Sequence, residues 1–154
     1  MRTLLVAVVL SLMAGCSPSP GALFSRANDA WGTGTFPVSN DGQAALYIVR
    51  EPSAPDAPPI NITMGQQPIG GIVPPNYMRL DLKPRLYDLR AYGPQSNSEL
   101  IITVAPGQTR FLLAQPTPNG GAELLELSQE QGRKLARQGE RLWTPEIYTD
   151  GLNY

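Results

Sequence analysis

The chain has 154 residues, 42% of them hydrophobic, which suits one core in one domain of about 100 residues once a leader and a tether are set aside. Lys and Arg number 12 against 13 Asp and Glu; without Arg2, which falls in the leader, the balance is 11 against 13, so no basic face is available to collect nucleic-acid phosphates. There is no histidine and the single cysteine is Cys16, which excludes an internal disulfide, the usual soft-metal sites, Cys/His pairs and Ser/His/Asp triads. No cofactor is expected.

Residues 1–15 read as a secretory signal: Arg2, an apolar run over residues 4–10, then small residues before a cysteine. The run is too short to cross a bilayer, which takes roughly 20 apolar residues. Leu12-Met13-Ala14-Gly15-Cys16 resembles the lipobox of bacterial lipoproteins, with Met13 where leucine is usual. The resemblance implies cleavage before Cys16 and acylation of that residue. Several acyl chains, at ~0.8 kcal/mol per buried CH₂, would hold the protein on a membrane. Ser17 follows, where aspartate would resemble an inner-membrane retention signal, so the implied address is the periplasmic face of the outer membrane. A tether is expected over residues 16–40; a flexible coil of about 24 residues reaches on the order of 25 Å. Within it, Trp31 and Phe36 either cap the sandwich edge or rest at lipid headgroups.

The domain is expected over residues 41–142. Residues 44–50 (AALYIVR) and 60–64 (INITM) read as strands, separated by a proline-rich loop. Asn61-Ile62-Thr63 matches a glycosylation sequon, which a bacterial leader makes a chance match. Residues 77–115 then alternate apolar and polar side chains in four strands. Two hairpins are predicted, turning at Lys83-Pro84-Arg85 and at Ala105-Pro106-Gly107-Gln108. The first would bring Arg79, Asp81, Asp88 and Arg90 together on a wet face. Ile101 makes the third strand nearly continuous, as if covered on both sides. A last strand spans residues 122–127. Ser128 and Gln131 have capping-box spacing, predicting a helix to about Leu142 that lies on a sheet edge. An aromatic tail, residues 143–154, either docks on an edge strand or adds to a partner. Dry sheet faces need a second layer, so the expected fold is a mainly antiparallel β-sandwich of seven to eight short strands with one C-terminal helix.

The segments AALYIVREPS, MGQQPIGGI followed by Tyr77, LDLKP, ELIITVAPGQTRFLL and ELLELSQEQGRKL together resemble a family of uncharacterised bacterial lipoproteins, itself similar to PEGA-type β-sandwiches. The likeness covers roughly residues 44–141. Where that family commonly has Pro-Gly, this chain has Pro84-Arg85, which suggests a different turn. The resemblance implies a sandwich in the envelope; it carries no functional residues.

Three groups besides Cys16 are candidates. Arg133, Arg137 and Arg141, at i, i+4 and i+8 beside Lys134, form either a contact for anionic lipid or an acidic partner, or a solvated helix face eased by Glu130. Tyr47, Tyr77, Tyr87 and Tyr92 either line a glycan or small-ligand face or sit at the rim of the core. Asp81 and Asp88 lack the desolvation that a catalytic carboxylate pair needs, and no enzyme is expected. The function these features predict is a non-enzymatic binding or assembly component of the cell envelope with a protein partner. The alternative is a glycan- or small-ligand-binding module.

Overall fold

Ala44–Val49 (β1) is apolar at every position and buried at every position, because it runs through the middle of a layered structure and is covered on both faces. The computed structural model describes residues 36, 42–53, 56–142 and 144; Cys16, the leader, the tether to either side of Phe36 and most of the aromatic tail lie outside the described residues. The other strands are Ile60–Met64 (β2), Gln67–Ile72 (β3), Tyr77–Leu82 (β4), Arg85–Tyr92 (β5), Asn97–Val104 (β6), Thr109–Pro116 (β7) and Ala122–Leu127 (β8). A helix, Gln129–Ala136 (α1), follows β8.

The strands form two four-stranded sheets, ordered β4-β1-β7-β8 and β3-β2-β5-β6. The fold is a β-sandwich with one C-terminal helix, as the alternation predicts. Between the sheets lie Leu46, Ile48, Ile62, Met64, Leu89 and Leu112, all essentially without exposure. Pairing is antiparallel except for β1 with β7, where Tyr47 lies opposite Phe111 in a parallel ladder.

The predicted hairpins are not hairpins. β4 pairs with β1 and β5 with β2 and β6, so the chain at Lys83-Pro84 crosses from one sheet to the other. The Ala105–Gln108 turn does the same between β6 and β7. Genuine hairpins join β2 to β3, β5 to β6 and β7 to β8. Arg79 and Asp81 therefore pair with each other along β4 at 2.8 Å. On the other sheet Arg90 pairs with Asp88 at 3.0 Å and with Glu99 at 3.3 Å. The strand β6 is not covered on both sides either, since Ile101 is 58% exposed.

The helix begins where the capping box places it: the Ser128 side chain accepts from the Gln131 backbone N–H, and the Gln131 side chain answers the Ser128 N–H. It stops at Ala136 and does not continue to Leu142. The cause lies elsewhere in the chain: Gly139 passes so close to the 75–76 loop that a Cβ there would sit 2.0 Å from the Pro75 carbonyl oxygen. Nor does α1 lie on an edge. It packs across the outer face of β1 and β7, with Gly132 against Phe111, making a third layer. Gln129 Nε2 also donates to the Thr109 carbonyl.

After the helix the chain runs along the free edge of β4. Arg141 bridges to Tyr77 in parallel. The Tyr77 N–H donates to Glu140 O at 3.0 Å and the Leu142 N–H to Tyr77 O at 2.8 Å, and the Thr144 hydroxyl donates to Arg79 O at 2.9 Å.

Candidate functional site

The three arginines of the predicted stripe are separated by the early helix end. Arg133 is exposed on α1, Arg137 is its C-cap with the guanidinium 5.9 Å from the Phe36 ring centre, and Arg141 belongs to the edge bridge. They do not share one helical face.

The four tyrosines are distributed over different layers. Tyr47 lies under α1, fully buried, stacked on Phe111 at 4.9 Å and met edge-on by Phe36 at 5.3 Å. Tyr77 lies beside it at 6.1 Å. Tyr87 is buried between the sheets and donates to the Lys83 carbonyl at 2.8 Å. Tyr92 is half-buried at the end of β5. Phe36 therefore caps the outer face of the β1 sheet, not its edge. Burial pushes the Tyr47 phenol up to about 12, against the pull of the Arg79 cation, and burial also raises Tyr77. The Tyr47 hydroxyl is buried and has no hydrogen-bond partner among the described residues.

A cleft of about 550 Å³ opens at one end of the sandwich, where β1, β5 and β7 finish. Its size lies in the range of small-ligand sites, roughly 300–1,000 Å³. Proline lines much of it: Pro52, Pro58, Pro59, Pro94, Pro116 and Pro118. Arg50 lines it too, although only 3% of that residue is exposed. Nη1 of Arg50 donates to the carbonyls of Pro58 at 2.8 Å and Ile72 at 3.1 Å. Burial lowers the Arg50 pKa, since removing a cation from water disfavours its charged form.

Arg50 and Arg85, the latter with its guanidinium over the Tyr87 ring at 4.8 Å, differ from the other arginines embedded in the sheets. Arg79 has Asp81, Arg90 has Asp88 and Glu99, and Arg110 has Glu126 at 2.5 Å. No carboxylate among the described residues lies within ion-pair distance of Arg50. Glu51 and Glu123 line the same cleft, and Glu123 accepts from the Gln115 amide at 2.7 Å. Sequence reasoning missed Arg50 because a charged residue ending a strand reads as a solvated terminus. The available signal was its position: it directly continues an unbroken apolar run into a proline-rich loop.

Among the described residues no cluster of three or more His, Cys, Asp or Glu could hold a metal ion, and no helix is long and apolar enough to cross a membrane. Comparison with protein-family models, with curated proteins and with solved structures finds no match to this chain.

Proposed function

We propose that this protein is a lipid-anchored component of the bacterial cell envelope, acylated at Cys16 and facing the periplasm from the outer membrane, that binds a partner rather than transforming it. The observation that carries the reading is Leu12-Met13-Ala14-Gly15-Cys16 after an apolar run, with no second cysteine in the chain. Supporting the binding role is a preformed cleft walled by proline and floored by a buried cation. The reading also keeps the likeness to lipoproteins with PEGA-type sandwiches. A module that grips glycans through Tyr47, Tyr77, Tyr87 and Tyr92 has less in its favour, because three of those rings are buried in two different layers.

The experiment is metabolic labelling with palmitate followed by membrane fractionation, comparing the natural chain with Cys16→Ser. The natural chain is expected to take up label and to sediment with the outer membrane, and the variant to take up none. A natural chain without label refutes the anchor. In-cell crosslinking with affinity recovery of the lipidated protein then identifies what it binds.

A further inference from the structure

We propose that the cleft at Arg50 binds a short peptide by its C-terminal carboxylate, the peptide carrying a basic group near that end. The proposal deepens the reading of this protein as a binding component and rests on its binding role, though not on the acyl anchor.

The guanidinium has five N–H donors in a rigid fork that matches a carboxylate. Both Nη1 donors are taken by the Pro58 and Ile72 carbonyls, which fixes the head in place. The three donors on Nη2 and Nε have no acceptor among the described residues, and only 3% of Arg50 is exposed. A buried cation left with neutral acceptors only is costly, and this fold supplies carboxylates to Arg79, Arg90 and Arg110. Arg85 also lacks a carboxylate, but its guanidinium lies over the Tyr87 ring at 4.8 Å and does not line the cleft. At Arg50 a ligand carboxylate would supply the missing anion, in apolar surroundings where the attraction is strong.

The rest of the lining selects the class of ligand. Glu51 and Glu123 face the same space, so a dianion such as a phosphate ester meets two like charges. A monoanion with a cation nearby meets complementary ones. Among the described residues no aromatic side chain lines the cleft, so they offer no stacking platform of the kind sugars use. Proline and alanine walls, with Ile60, suit small aliphatic side chains of an extended peptide.

The test uses full-length protein purified with its lipid in detergent, followed by backbone amide resonances during titration with acetyl-Lys-Ala-Ala and with its C-terminal amide. The free acid is expected to bind saturably and to shift residues 50–53, 93–94 and 115–123. Amidation should weaken binding about tenfold or more, the usual worth of a charged hydrogen-bonded contact. Arg50→Gln should weaken the free acid similarly and the amide little, because the two changes remove the same contact. If Arg50→Gln does not fold, acid against amide on the natural protein decides alone. Equal binding of acid and amide, no shift in the cleft at millimolar peptide, or saturation only by a uronic-acid oligosaccharide each overturns the proposal. A Cys16→Ser protein that leaves the membrane yet binds the acid leaves this site standing. A palmitoylated protein that ignores the acid loses this site and keeps its anchor.

Discussion

Replacing Gly132 by alanine should destabilise the domain, although the same change in an isolated helix is favourable by about 1 kcal/mol. A Cβ at 132 would lie 2.1 Å from Phe111 Cγ, 2.3 Å from its Cβ and 2.5 Å from its Cδ1. A new rotamer at Phe111 offers no escape, because its Cβ is fixed to the backbone of β7. The ring is also held between Tyr47 at 4.9 Å and Phe36 at 5.6 Å. The helix must therefore lift by about 1 Å or more. If lifting uncovers on the order of 100 Å² of apolar surface on Ala136, Tyr47 and Phe111, the loss is about 2.5 kcal/mol. Set against the propensity gain, the net is about 1–2 kcal/mol, or a fall in Tm of about 5–10 °C for a domain of this size. Thermal unfolding followed by circular dichroism measures it, with hydrogen exchange on the α1 amides to show local undocking. Alanine at the exposed neighbour Lys134 is the control and should change stability by less than ~0.5 kcal/mol. A Gly132→Ala protein that melts higher than the natural one would mean that the helix does not rest on Phe111, and the three-layer description would fall.

Two further outcomes follow from the outer face of the β1 sheet. The Tyr47 phenol titrates at about 12 in the folded chain against 10.0 for the exposed group, so its contribution to stability is complete below pH 10 and is lost as pH rises toward 12. Tyr47→Phe removes a hydroxyl with no partner among the described residues, which should leave neutral stability unchanged or raise it by up to ~1 kcal/mol, and should flatten the alkaline loss; denaturant midpoints on both sides of pH 10 check it, and an identical alkaline slope in the variant counts against it. Ending the chain at Glu140 removes the bonds from Leu142 to Tyr77 at 2.8 Å and from Thr144 to Arg79 at 2.9 Å; at ~1 kcal/mol each the domain should lose about 2 kcal/mol. The bared edge of β4 should also associate, visible by light scattering, and a truncated protein that stays monodisperse and equally stable would refute the account.

Strand positions and the helix start were legible because each rests on local physics: β-forming residues mark β1 and β2, period-two alternation marks β4 and β5, and the Ser128–Gln131 reciprocity marks α1. Connectivity was not. Proline at 84 and Pro106-Gly107 say that the chain reverses, and they say it equally for a hairpin and for an arch that enters the opposite sheet. What decides is which apolar faces meet, and that depends on β1, which takes β4 and β7 as neighbours and leaves β5 to β2. The end of the helix at Ala136 was equally illegible, since it is set by the approach of Gly139 to Pro75, far away in sequence. Arg50 belongs to the same class of miss: its burial comes from Pro58 and from Ile72, 22 residues on, not from its own neighbours.

The two ends of the sandwich are built differently, and the difference bears on why a site would form at the Arg50 end. The pairings place the end of β1, the start of β2, the β3–β4 link and the turns after β5 and β7 together at that end. Those connections hold Pro52, Pro58, Pro59, Pro74, Pro75, Pro94, Pro116 and Pro118, whereas the opposite end has Pro84 and Pro106. Proline fixes φ and removes a donor, so these loops are joined at few points, among them Gln95 N–H to Gly120 O at 3.0 Å and Arg50 N–H to Asn76 O at 3.2 Å, and are stiff where they wall the gap between the sheets. Walls stiffened in this way do not charge an entering ligand the entropy of ordering them. Arg50 contributes the opposite property at the same place: its bonds to Pro58 O and Ile72 O tie the loop and the end of β3 to β1, so the cation that would meet the ligand also holds the walls. Lysine at this position could not make both carbonyl bonds in the same fork and still present a second pair of donors. On this argument Arg50→Lys keeps the charge and loses the preorganised floor, and charge alone does not make the site.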